Sequence, residues 1–232
     1  MLFSVFLYFS YKELMLLRIV SKRFTKIVNR CLESYYIKPV FEINKSFVLR
    51  QEDGYFERRN RGVDGRFDNF WKMLKSQTVL VCGKISIFET HVKIAKPIIK
   101  DNKNNNINTI NVCIGIISNK KSNADNRNLR CFAQRRGYGV SISINNINEI
   151  IGNEYADTCE IVICPNTNAK MQHNVRIVVD LIDNRCFYYI DGKFRRSRKI
   201  RRYNNRSETW LPVVSSYSAG NMFKVIYNWN WN

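Results

Sequence analysis

Histidine is almost missing from this 232-residue chain, which has only His91 and His173. Cysteine occurs seven times, as Cys31, Cys82, Cys113, Cys131, Cys159, Cys164 and Cys186, an odd number with no C-x-x-C pair. A zinc site therefore lacks its usual ligand set, and nothing orients a Cys/His nucleophile. Most of these cysteines sit inside apolar runs, which reads as buried free thiols in a reducing compartment. Acidic residues are also scarce, 19 against 38 Lys and Arg. Asp180 and Asp183 are close, but beside a strand they serve turn amides better than acid/base work. No glycine run has a phosphate-cradling spacing. No apolar run reaches the roughly 20 residues of a membrane span, because Lys12, Glu13 and Arg18 follow Leu2 to Phe9 too soon. No basic residues precede that stretch and no small-residue cleavage site follows it, so it reads as a buried helix. Cytoplasm or nucleus is the expected location. A non-enzyme with no cofactor and no metal is expected.

What is present supports a packed body. The chain is 45% hydrophobic and 13% aromatic, enough for one large core with a small appendage. Its formal net charge of +19 points to acidic partners: nucleic acid, an anionic surface or an acidic protein segment.

The organising stretch is 175–194. Val175, Ile177, Val179 and Leu181 alternate with Arg176, Val178, Asp180 and Ile182, the period of a strand with one apolar face. Asp183-Asn184-Arg185 is a polar turn, Cys186 to Ile190 runs back, and Asp191-Gly192 is a strong hairpin dipeptide. Two tight turns so close together require antiparallel neighbours. Further short strands are predicted at 78–82, 84–88, 112–117, around 140–144, 161–164, 211–215 and 223–227, with Val92 and Ile94 extending an alternation. Polar loops separate them at 101–108 and 120–128. Gly115 inside its strand signals a bend or a close backbone approach. The predicted fold class is mainly β, an antiparallel two-sheet sandwich with a short N-terminal α-helical module.

The helical region is 2–36. Leu14, Leu17, Phe24, Ile27 and Val28 recur at three- and four-residue steps, and Ser10 with Glu13 has capping-box spacing. A short helix at 2–9 and a longer one at 11–32 are expected. They pack on the sandwich or offer an apolar face to another protein. Residues 37–74 form a connector, where Arg58, Arg59, Arg61 and Arg66 mingle with Gly54, Gly62 and Gly65 before Phe67, Phe70 and Trp71. The aromatics are packed anchors or base-stacking groups.

Leu14-Met15-Leu16-Leu17-Arg18-Ile19-Val20-Ser21-Lys22-Arg23-Phe24 resembles the second half of an F-box. The likeness covers about 30 residues, and the Leu-Pro pair and acidic helix that usually open the family have no counterpart here. It implies docking on the adaptor of a cullin ubiquitin ligase, with Leu14, Leu17, Val20 and Phe24 on the adaptor face. From about residue 75 onward the chain resembles a SPRY domain, an architecture that lectins of the concanavalin type share. The matching features, in family order, are Gly115 in its strand, Val178-Val179-Asp180, Phe187-Tyr188-Tyr189-Ile190-Asp191-Gly192-Lys193, and Leu211-Pro212-Val213-Val214-Ser215. Asp191 stands where the family usually has Asn. The resemblance implies a two-sheet sandwich that holds a peptide or protein through loops at one end. The expected domains are therefore 1–36, 37–74 and 75–232.

Residues 193–206 hold eight basic residues and no acidic one, so they form an exposed loop that seeks an anion, is merely solvated, or serves as a localisation signal. Arg135-Arg136-Gly137-Tyr138 is a smaller version. Arg135, Arg136, Tyr138, Tyr203 and Trp210 are the candidate target-binding residues. Trp210, Trp229 and Trp231 read as packing more than as a sugar platform. Two functions follow. One is a non-enzymatic recognition subunit of a cullin/F-box ligase, whose partners are the adaptor and a protein or peptide target, acidic in character. The other is a basic nucleic-acid-binding protein built on a sandwich core.

Overall fold

In the computed structural model, residues 2–59, 72–94, 112–119, 137–142, 146–153, 156–165, 172–200, 209–216 and 220–226 are described. Three helices come first: α1 (Leu2–Phe6), α2 (Tyr11–Arg18) and α3 (Lys22–Ser34). Thirteen strands follow: β1 (Phe47–Leu49), β2 (Phe56–Arg58), β3 (Lys72–Lys75), β4 (Ile85–Lys93), β5 (Val112–Ser118), β6 (Gly137–Ile142), β7 (Asn146–Asn153), β8 (Ala156–Pro165), β9 (Gln172–Asp180), β10 (Arg185–Ile190), β11 (Lys193–Lys199), β12 (Trp210–Ser216) and β13 (Met222–Ile226). They form a seven-stranded sheet in the order β1-β2-β13-β4-β9-β10-β11 and a six-stranded sheet in the order β3-β12-β5-β6-β7-β8. The pairings between these strands are antiparallel, as the two tight turns require.

The central hairpin has the expected register. Val179 faces Cys186 and Ile177 faces Tyr188, while Asp191 (φ 51°) and Gly192 (φ 76°) both adopt the left-handed backbone of a two-residue hairpin turn. The Asp191 carboxylate adds two anchors, accepting the Asn174 N–H at 2.9 Å and meeting His173 Nδ1 at 3.0 Å.

Alternation sorts the side chains. Phe88, Val92, Val175, Ile177, Val179, Tyr188 and Ile190 from one sheet pack on Ile114, Ile116, Tyr138, Val140, Ile142 and Val214 from the other. The opposite face of the seven-stranded sheet is also apolar at Ile85, Ile87, Val178 and Phe187. The helices cover it with Phe6, Tyr11, Leu14, Val28, Cys31 and Leu32. Strands with two covered faces read as near-continuous apolar runs, as Val175 to Leu181 does. Of the described cysteines, Cys31, Cys113 and Cys186 are buried free thiols and Cys82 is an exposed one.

Four expectations need correction. The helix expected over 11–32 is two helices, because Ser21 turns extended (φ −160°, ψ 160°) and its side chain accepts the Phe24 N–H as a new N-cap. The connector at 37–74 supplies β1, β2 and β3, so it belongs to both sheets. The strand expected at 78–82 is reduced to a bridge between Leu80 and Trp210, and the one expected at 84–88 is part of β4, which runs on to Lys93. The loop expected from residue 193 is the edge strand β11 up to Lys199. No described helix is long and apolar enough to cross a membrane.

Candidate interaction surface

The helical module is fixed to the sandwich by polar contacts as well as by its core. The Ser10 hydroxyl and the Glu13 carboxylate form the expected capping box at the start of α2. The N–H of Tyr11, the next residue, donates to Asp180 Oδ2 at 2.7 Å. Asp180 sits at the end of β9, and its other oxygen accepts the Ile182 and Asp183 amides at 2.8 and 3.0 Å. One buried carboxylate thus closes a turn and faces the positive end of a helix. Burial pushes the Asp180 carboxyl above the ordinary carboxylate range, against the pull of those three amides.

Beside this contact the Tyr11 and Tyr189 hydroxyls meet at 2.6 Å, and the Tyr11 and Phe187 rings lie 4.7 Å apart. Burial, then Tyr189, raises the Tyr11 phenol. The next side chains on that sheet face are Arg176 and Glu89, a buried ion pair with contacts of 2.8 and 2.9 Å. Burial raises the Glu89 carboxyl and Arg176 opposes it. The Tyr36 ring lies 5.9 Å from the Arg176 guanidinium. These are seating contacts, and no group of three or more His, Cys, Asp or Glu side chains among the described residues could hold a metal ion.

The four residues expected on the adaptor face separate. Leu14 is fully buried between helix and sheet and has no surface to offer. Leu17 and Phe24 are half-buried against the same cluster, Phe24 with its ring 5.9 Å from Phe6. Val20 is 64% exposed. Its neighbour Ile19, 81% exposed, was not singled out in the sequence, nor was Leu16 at 56%. Ile19 and Val20 form the α2–α3 turn, which the Thr25 hydroxyl braces by donating to the Arg18 carbonyl at 2.6 Å. The turn holds two β-branched side chains out into water, next to the exposed cations Lys22, Arg23 and Lys26. The sequence signal was available, since Ser21 caps a helix only if the residues before it leave the helical path.

The expected target face is corrected in part. Tyr138 and Trp210 are 6% and 2% exposed and pack together with ring centroids 5.6 Å apart. Tyr138 shares the inward parity of Val140 and Ile142, and Trp210 that of Val214, so both belong to the core. Arg135, Arg136 and Tyr203 lie outside the described residues.

No protein-family model matches the sequence, and no curated protein matches it. Solved structures are similar in fold. The PSpry domain of TRIM65 aligns with a TM-score of 0.57 at 12% identity, over 87% of this chain and 96% of that one. The potassium-bound carbohydrate recognition domain of Emp46p gives 0.51 at 9% identity, over 83% and 94%. Stonustoxin gives 0.51 at 12% identity, over 90% of this chain and 31% of its own. The fold is a mainly β, two-sheet sandwich of the SPRY type, as the sequence motifs imply.

Proposed function

We propose that this chain is a non-catalytic protein-interaction module, and more specifically a substrate-recognition subunit of a cullin-type ubiquitin ligase. The observation that carries the reading is the braced α2–α3 turn. Ile19 and Val20 are held in solvent by a helix pair that is itself locked to the sandwich through Asp180. Exposed β-branched residues on a rigid, cation-flanked turn suit an apolar groove with an acidic rim on an adaptor. The SPRY-type sandwich supplies the body that holds a target. Because the two parts are fixed to each other, adaptor and target are set at a constant spacing, which raises the target's effective concentration at the ligase without chemistry on this chain. Co-purification of the full chain with a cullin adaptor, lost on Ile19→Asp and retained on Lys45→Asp, supports this reading. Failure of the wild-type chain to recover an adaptor sinks the ligase role.

A second reading, a nucleic-acid-binding protein, draws on the net charge of +19. It requires tight binding of a generic oligonucleotide with a steep loss of affinity as salt rises.

A further inference from the structure

β11 is an edge strand of the seven-stranded sheet, and among the described residues it pairs with β10 alone. Five of its seven residues, in the run Lys-Phe-Arg-Arg-Ser-Arg-Lys, are cations, and none is acidic. We propose that β11 is a docking edge for an extended acidic peptide, which adds to the sheet as an eighth strand.

The backbone direction follows from the register. The Ile200 N–H donates to the Asn184 carbonyl at 2.7 Å, so Ile200 faces the β10 side. Alternation then turns Arg198 towards β10 and turns the amide groups of Ser197 and Lys199 outward. At the other end Lys193 flanks the two-residue turn and pairs with Ile190, which leaves Phe194 facing outward. Between them the register slips by one between Tyr188 and Tyr189, leaving Arg195 as the bulged residue. Phe194 is 55% exposed and rests on the Tyr189 ring at 5.5 Å.

Such an edge presents N–H donors and C=O acceptors together. A peptide strand satisfies both, whereas a nucleic-acid backbone satisfies only the donors and is repelled by the carbonyls. The exposed cations at the two ends of β11, Lys193 and Lys199, choose among peptides. They repel a second copy of the same strand, the usual protection of an exposed edge, and they attract carboxylates on alternate positions of an incoming one. Phe194 calls for an apolar side chain opposite it. The proposal is independent of the adaptor reading, since it uses the backbone edge of β11 and neither Ile19 nor Val20 of the α2–α3 turn.

The test uses the full chain and a fluorescein-labelled peptide, Glu-Val-Glu-Val-Phe-Glu-Val-Glu, read by fluorescence polarisation. Two further peptides carry N-methyl groups on one or the other alternate set of amides, which keeps charge and composition but blocks one edge. Saturable binding is expected, weakened at least about tenfold by one methylated set and not the other, the value of losing one or two backbone hydrogen bonds. Ser197→Pro removes an outward N–H without touching the β10 ladder, a substitution edge strands tolerate. It should cause a similar loss with an unchanged circular dichroism spectrum. If that variant misfolds, the methylated pair on the wild-type chain decides. The proposal is overturned if the parent peptide does not bind, if both methylated peptides bind as well as the parent, or if a single-stranded oligonucleotide binds more tightly and displaces it. Ile19→Asp should leave peptide binding unchanged, which separates this result from the fate of the adaptor reading.

Discussion

The backbone N–H of Tyr11 and the carboxylate of Asp180, 169 positions apart in sequence, are joined by a buried 2.7 Å hydrogen bond. The contact ties the first turn of α2 to the end of β9, and it makes the helices part of the sandwich. Asp180→Ala leaves the Tyr11, Ile182 and Asp183 amides without that partner. A loss of about 3 kcal/mol in unfolding free energy is expected from urea denaturation. Asp180→Asn, which keeps one acceptor oxygen, should lose less.

Folding and binding separate between α2 and the turn that follows it. Leu14→Ala opens a cavity in the helix–sheet core and is expected to cost about 2–5 kcal/mol. Ile19→Asp and Val20→Asp sit in water and should change stability by no more than about 0.5 kcal/mol, while abolishing recovery of the adaptor. An Ile19→Asp chain that unfolds instead would show the turn to be structural.

Gly115 and Gly139 face each other across β5 and β6. A Cβ on Gly115 would lie 2.1 Å from the Tyr138 carbonyl oxygen and 2.6 Å from the Gly139 Cα, both backbone atoms that cannot swing aside. Gly115→Ala should therefore destabilise the sandwich by at least the about 1–3 kcal/mol of ordinary overpacking. A thermal melt would show it.

Alkaline pH is expected to weaken the fold through its tyrosines. Burial raises the phenols of Tyr11, Tyr35 and Tyr189, that of Tyr35 from 10.0 to about 12. The folded chain holds these protons more firmly than the unfolded chain does. Their contribution is therefore complete below the ordinary phenol range and is lost as pH climbs through the folded values. The Tyr35 hydroxyl also donates to the Leu7 carbonyl at 3.3 Å, which a phenolate cannot do. Urea midpoints should fall as pH rises from about 10 towards 12, with a shallower slope in Tyr35→Phe.

The parts legible in the sequence are those where one local signal had one meaning. The alternation of Val175 to Leu181 specifies β9, the Asp191-Gly192 turn specifies the hairpin of β10 and β11, and Ser10 with Glu13 specifies the start of α2. Gly115 signalled the close approach it makes. The misses have physical causes. Apolar residues at helical spacing continue through Ile19 and Val20, so periodicity alone hid the break that Ser21 makes. β11 has no apolar alternation because an edge strand need not bury a full face, although a two-residue turn before it demands a returning strand. β2, Phe-Glu-Arg, is too short and charged to stand out, and it takes its place from β13 beside it. For the surface, composition gave the charge but not the side. Tyr138 and Trp210 look like contact residues by type, and only strand parity sends them inward.

The seating of the helices also sets an order of events during synthesis. Leu14, Val28 and Leu32 leave the ribosome well before Val178, Asp180 and Phe187, the groups they rest on. At about 5–20 residues per second the wait for 169 positions is roughly 8–34 seconds. Through that interval the greasy side of a helix pair has nowhere to go, and a nascent-chain chaperone, or early capture by whatever binds Ile19 and Val20, would keep it from sticking to its neighbours.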